Sequence, residues 1–220
     1  MKIKTLLLPV CILMSGLGFS QSTNYQLFRF DFGFVYAIPA AQDWANGFGG
    51  TGALKANITN NIDAGLREDV IVFLGAKGYS AGDNVSVGIS AAAAKSTSIV
   101  GEYFFKDDGS TRPFGGLGVG YYVGGGASTS TTTSSTGATV TESGRAFAGV
   151  GISPSLGIDL NWFRLEITYN LVFATSKVQF TQTASSSGGV SQVVSTQNFS
   201  NNFLEFLATF RIGGKNVHQQ

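Results

Sequence analysis

From Phe28 to Ile38 the chain alternates without a break. Phe28, Phe30, Phe32, Phe34, Tyr36 and Ile38 take the even positions, and Arg29, Asp31, Gly33, Val35 and Ala37 the odd ones. Successive side chains of a strand point to opposite faces, so this period predicts a strand between two different environments. The apolar face is much the bulkier, while the other carries a cation, an anion and small residues. That contrast suits an aromatic face against lipid and a second face lining a narrow barrel.

The same alternation recurs along the chain. Leu54, Ala56 and Ile58 oppose Lys55 and Asn57; Leu66, Val70, Val72 and Leu74 oppose Gly65, Arg67 and Asp69. Glu68 falls on the apolar face of that second segment, where a bulge or an interface position would accommodate it. A strand ending at Phe105 sets Ile99, Tyr103 and Phe105 against Ser98, Val100, Glu102 and Phe104. Phe114–Gly124 then sets Leu117, Val119, Tyr121 and Val123 against Gly116, Gly118 and Gly120. Glycines at period two with no helix after them do not form a phosphate loop; along an inward face they make room for bulky neighbours. In Arg145–Ile158, Ala146, Ala148, Val150, Ile152 and Leu156 oppose Arg145, Phe147, Gly149, Gly151, Ser153 and Ser155, with an irregularity expected at Pro154. Phe163–Phe173 opposes Arg164, Glu166, Thr168 and Asn170 to its apolar set. Leu204–Ile212 does the same with Glu205, Leu207, Thr209 and Arg211.

These segments make about eight strands, each near the 9–11 residues that a tilted strand needs to cross a bilayer. Between them, Pro39–Gly50, Gly75–Ala91, Gly125–Ser143 and Thr175–Asn201 read as long polar loops. Asn60-Asn61, the Asp108-Gly109 step and Asp159–Asn161 read as tight turns, with Trp162 placed for an interfacial aromatic belt. Long and short connections alternate, so all four loops fall at one end and all three turns at the other. The fold expected is an all-β, eight-stranded antiparallel up-and-down transmembrane barrel with four long external loops and three short periplasmic turns. The competing architecture is a soluble lipocalin-like barrel around an apolar ligand, whose exterior would carry Lys, Glu and Thr instead of glycine runs.

Composition agrees. Of 220 residues only 12% are charged, about half the usual share, although 43% are hydrophobic; Phe numbers 18 and Gly 30. A formal net charge of +1 gives no electrostatic reason for a nucleic-acid partner. Lys2 and Lys4, the apolar run Thr5–Leu17 and Gly18-Phe19-Ser20 read as a signal peptide over residues 1–20, leaving residues 21–220 as one barrel domain. Cys11, the single cysteine, lies inside that leader, and Pro9-Val10 does not suit a lipobox, so no disulfide or thiol chemistry is expected.

The chain resembles the small outer-membrane β-barrel proteins of the OmpX and OmpA transmembrane-domain kind. The likeness is carried by Arg112-Pro113-Phe114 with Gly116, Gly118, Gly120 and Tyr121-Tyr122, by Phe163-Arg164-Leu165-Glu166, and by Phe210-Arg211-Ile212-Gly213-Gly214. It implies the outer membrane of a Gram-negative bacterium, reached by signal-directed export. It also implies lipid and lipopolysaccharide around the barrel, and assembly machinery that reads a terminal strand; Phe210 is the candidate aromatic, with a polar tail after it.

The inward face assembles a lumen charge network of Arg29, Lys55, Arg67, Arg145, Arg164 and Arg211 against Asp31, Asp69, Glu102, Glu166 and Glu205. Charges in so narrow a barrel must pair, because a buried unpaired charge costs several kcal/mol. A salt-bridged plug follows more directly than an ion path. No catalytic, cofactor or metal residues are assigned: the lone histidine, His218, lies in the tail, and Glu68 and Asp69 face opposite ways. The expected role is non-enzymatic, a structural or surface-interaction barrel whose loops meet a surface ligand. A narrow transporter for small or apolar solutes is the alternative, and a membrane-embedded enzyme a third. The lipid-face assignment predicts that Phe32→Arg impairs membrane assembly by about 2–4 kcal/mol, read as loss of the SDS-resistant, heat-modifiable band; wild-type assembly would mean the face is misassigned.

Overall fold

A computed structural model describes residues 26–40, 45–81, 84–107, 109–134, 137–185, 188–195 and 201–213. The leader over residues 1–20, the loop residues Asp43 and Trp44, and the tail with His218 lie outside them. Among the described residues nine strands follow in order: β1 Phe28–Pro39, β2 Gly47–Asn57, β3 Ile62–Ala81, β4 Asn84–Phe104, β5 Arg112–Ser134, β6 Gly137–Leu160, β7 Phe163–Ser185, β8 Val190–Ser195 and β9 Phe203–Gly213. All pairings are antiparallel. Each of β1 to β7 pairs with the next, then β7 with β9 and β9 with β1, which closes a ring of eight strands. β8 stands outside the ring and pairs with β7.

The register sets the shape of this ring. Following paired residues from Phe163 on β7, the path runs through Phe210, Phe32, Gly52, Glu68, Thr97, Tyr121 and Val150. It returns to β7 at Phe173, ten residues beyond its start. With about 3.3 Å per residue and about 4.8 Å between strands, that stagger tilts the strands by roughly 40°. The run from Ile62 to Leu74 on β3 therefore rises about 30 Å, the thickness of a bilayer's hydrocarbon core.

The alternation resolves as the sequence pattern requires. On β1, Arg29, Asp31, Val35 and Ala37 are buried, whereas Phe28, Phe30, Phe32 and Phe34 are exposed, Phe34 to 71%. Leu54, Leu66, Ile99, Val119, Val150, Leu165 and Ile167 continue this exposed belt around the ring. The core lies inside the barrel. A closed ring with an apolar exterior meets both demands of crossing a bilayer with strands, since no strand edge is left open to lipid and lipid meets hydrocarbon. The lipocalin-like alternative required the reverse orientation.

Three tight turns lie at one end. Residues 58–61 close β2 to β3 with the Thr59 hydroxyl accepting from the Asn61 and Ile62 amides, at 3.2 and 3.0 Å. The β4–β5 turn uses Gly109 at φ 98°, and the two-residue β6–β7 turn holds Asn161 at φ 69°. Exposed Trp162 at that turn stacks on Phe210 at 5.9 Å.

At the other end the structure corrects the expected loops. β2 already begins at Gly47, inside the stretch read as loop. Gly75–Ala91 is the β3–β4 hairpin continued to Ala81 and Asn84, and Gly125–Ser143 is the β5–β6 hairpin, paired as far as Ser134↔Gly137. The Thr175–Asn201 stretch contains the rest of β7 and all of β8. Hydroxyl and glycine content reads as loop, but long-range pairing decides strand formation, and Ser and Thr pair across these hairpins: Ser86 Oγ lies 2.9 Å from Thr132 Oγ1. The strands β3 to β7 consequently run 20–24 residues, twice the length a bilayer needs.

Two local expectations also meet the register. No bulge forms at Glu68, which pairs with Gly52 and Thr97 in unbroken ladders. At Pro154 the β6–β7 ladder is interrupted, stopping at Ile152↔Leu171 and resuming at Ser155↔Thr168; a one-residue slip sits between Ala148 and Gly149.

Inward glycines do make room. A Cβ at Gly157 would lie 2.4 Å from the Phe114 ring and 2.4 Å from the Leu165 carbonyl oxygen, while one at outward Gly101 meets nothing within 4 Å. Gly157→Val should therefore lower stability by about 1–3 kcal/mol in urea unfolding from vesicles, and Gly101→Val should stay within about 0.5 kcal/mol.

Candidate functional site: the lumen

The lumen is filled in three layers. At the turn end Phe104 and Phe114 are buried with ring centroids 5.6 Å apart. Arg112 lies 3.9 Å over the Phe104 ring and Arg164 lies 3.6 Å over Phe114, so each aromatic face receives a cation. Arg112 also donates to two carbonyls of the turns, Lys106 at 3.2 Å and Asn60 at 2.5 Å. It ties the β2–β3 and β4–β5 turns across the barrel mouth.

Above this layer the charges converge on Glu102 of β4. Its carboxylate accepts from Arg164 through both oxygens at 2.7 and 2.8 Å, from Arg29 at 2.6 Å and from Lys55 at 2.5 Å. Strands β1, β2 and β7 are thus joined to β4 through the interior. Arg29 reaches Asp31 at 3.2 Å and also pairs with Asp63. Lys55 reaches Asp31 at 3.3 Å, and Arg211 joins Asp31 at 3.4 Å to Asp159. A second group stands higher. Glu166 bridges Arg164 at 2.9 Å and Arg67 at 2.8 Å, and Arg67 holds Asp69 at 3.1 Å and approaches Glu205 at 4.0 Å. Thr168 donates to Glu166 and Ser96 to Asp69, both at 2.9 Å.

The third layer, nearer the hairpins, is apolar. Val35, Ile71, Phe73, Tyr122, Phe147, Val172, Phe203 and Leu207 form one buried cluster. The Phe203 ring packs edge-on against Phe73 at 6.4 Å and Tyr122 at 6.3 Å, and the Tyr122 hydroxyl donates to Asn170 at 2.9 Å.

Ten of the eleven expected lumen charges meet in this network: Arg29, Asp31, Lys55, Arg67, Asp69, Glu102, Arg164, Glu166, Glu205 and Arg211. Arg145 does not belong with them. It stands half-buried two residues beyond Phe147, on the far side of the apolar layer. Asp63, Arg112 and Asp159 were not expected and are buried. Each sits beside a turn signal, at the end of a segment whose alternation extends one step further: Asp63 before Gly65, Arg112 before Phe114, and Asp159 after Gly157. Continuing the period to the turn would have found all three. Among the described residues no group of three or more His, Cys, Asp or Glu side chains is arranged to hold a metal ion.

No protein-family model matches the sequence, and no curated protein sequence does. Among solved structures the chain is similar to Neisserial surface protein A at 12% identity, covering 86% of this chain and 98% of that one, with a TM-score of 0.40. A major outer membrane protein from Thermus thermophilus gives 14%, 85%, 100% and 0.42 in the same order. Ail, the attachment invasion locus protein of Yersinia pestis, gives 9%, 85%, 99% and 0.40. The structural neighbours are thus small outer-membrane β-barrel proteins, while the architecture of this chain rests on its own closed register.

The convergence of three cations on one carboxylate makes Glu102 the sensitive point. Glu102→Ala should lower stability by about 3–5 kcal/mol, because Arg29, Lys55 and Arg164 stay buried without their shared partner. Urea titration of the chain folded in vesicles reads this directly, and an unchanged midpoint would remove Glu102 as the hub.

Proposed function

We propose that this chain is an outer-membrane barrel of a Gram-negative bacterium, exported by the leader in residues 1–20, and that it acts through its outer end instead of through a channel. The observation that carries the reading is the filled lumen. Ion-paired side chains and, above them, an apolar cluster occupy the interior from the turn end to the level of Phe73 and Phe203. A solute path would have to open both layers.

The strands supply the alternative use. β3 runs on past Phe73, its last residue paired with β2, and β7 runs on past Asn170, its last residue paired with β9. The outer parts of β3 to β7, together with β8, make a six-stranded crown rich in Ser, Thr, Gly, Ala and Val. Exposed Val87, Ile89, Val190 and Val193 lie on it among hydroxyl side chains. Such a surface suits a surface partner held by hydrogen bonds and modest apolar contact, with little charge steering. The reading gives the chain no reaction; its role is adhesion or envelope integrity, with lipid and lipopolysaccharide around the belt and the assembly machinery acting during insertion.

Two measurements test this. In planar bilayers the wild-type protein should add no discrete conductance steps; regular steps would establish the transporter reading in its place. Shortening the β5–β6 hairpin between Ser128 and Ser143 should leave the heat-modifiable barrel intact while abolishing cell-surface binding. Undiminished binding would move the partner site off the crown.

A further inference from the structure

The exterior belt contains one feature that lipid does not explain. Glu68 points outward from β3, halfway along the Ile62–Leu74 run, with Leu66 and Val70 on either side. Lys95 of β4 lies 3.2 Å from its carboxylate, and the Thr97 hydroxyl donates to it at 3.1 Å. Both charged side chains are open to the surroundings, Glu68 to 58% and Lys95 to 50%. The lumen pairs are enclosed by protein on all sides; this pair has protein on one side. Exposed ionisable groups at hydrocarbon depth are expensive, and phospholipid headgroups, which could answer them, lie at the interfaces.

Beside Glu68 the belt is recessed. Outward Gly50 and Gly52 leave open space on β2: a Cβ at Gly50 would meet a single atom within 4 Å, the Gly33 carbonyl oxygen at 3.7 Å, and one at Gly52 would meet the Phe30 ring edge at 4.0 Å. The resulting groove holds about 580 Å³, with Phe30, Leu54, Leu66 and Val70 as apolar walls and Glu68 on its rim.

We propose that this face, from β2 to β4, is the contact between two copies of the chain in the membrane. The inference rests on the membrane-spanning reading above. A twofold axis brings the same patch of each copy together, so the patch must complement itself. Glu68 and Lys95 meet that condition, being opposite charges side by side. Across the axis Glu68 of one copy faces Lys95 of the other twice over, giving an alternating square that removes all four charges from hydrocarbon. The recess over Gly50 and Gly52 lets the two sheets approach closely, as small residues do between membrane helices, and the neighbouring apolar walls fill the contact. Lipid offers hydrocarbon to the recess but no countercharge at that depth.

Reciprocal charge exchange tests the assignment. The chain from Gln21 onward, carrying Ser110→Cys at the exposed β4–β5 turn for donor or acceptor dyes, is folded into phosphatidylcholine vesicles. Energy transfer between chains is followed as lipid is added, and heat-modifiability reports insertion separately. Wild type should transfer energy as a dimer. Glu68→Lys and Lys95→Glu should each weaken self-association at least tenfold, since one places four cations and the other four anions at the axis. Mixing the two variants should restore transfer between unlike chains. If either single variant does not insert, the double exchange E68K/K95E keeps an ion pair within each copy and should dimerise as wild type does. Inserted wild type that is monomeric at every protein-to-lipid ratio would overturn the dimer, as would single variants that associate undiminished or a mixture without rescue. Failure of the wild type to insert at all would instead overturn the membrane reading on which the inference rests.

Discussion

Eight strands closed with a ten-residue stagger enclose an interior just wide enough for side chains. Every inward charge is therefore taken out of water, and every inward aromatic needs a space across from it. Arg29, Arg164 and Glu102 are almost fully buried, a position such groups rarely hold without partners. The lumen meets the constraint by sharing. One carboxylate serves three cations, Arg164 spans Glu102 and Glu166, and Asp31 takes contacts from Arg29, Lys55 and Arg211. Because the three contacts to Glu102 link β4 to β1, β2 and β7, none of them its neighbour in the sheet, the interior braces the ring across its diameter as well as around its edge.

Glycine placement is the steric counterpart of that electrostatic sharing. Phe114, Tyr122 and Phe147 each occupy space that a Cβ at Gly157, Gly151 or Gly124 would claim. Large and small residues thus alternate between adjacent strands. The apolar layer above the charges adds dispersion contacts and separates the ionic layer from the outer end of the barrel. Arg112 does a related job at the turn end by binding two carbonyls and an aromatic face.

The exterior follows different physics. Within the belt the side chains need only be apolar, and they are, apart from the Glu68, Lys95 and Thr97 group. Beyond the belt the long strands carry hydroxyl-rich faces, and the molecule changes from a lipid-adapted to a water-adapted surface along the same hydrogen-bonded sheet. Strand pairing carries that surface beyond the belt.

The alternation from Phe28 to Ile38, repeated through Phe163–Phe173 and Leu204–Ile212, was enough to determine strand period, the two faces, the even ring and most of the lumen charges. A period of two is a local property, so it survives without knowledge of the partner strand. Asp63, Arg112 and Asp159 were legible in principle and obscured by adjacent turn residues. The Ser/Thr/Gly segments were not legible, because the same composition serves a loop or a hydrogen-bonded hairpin, and the choice depends on cross-strand partners distant in the chain. Likewise the sequence placed Glu68 on the apolar face, but its register beside Lys95 and Thr97, like the meeting of three cations at Glu102, was decided only in the folded ring. Stagger and tilt bring such residues to one height, and no window along a single strand contains that information.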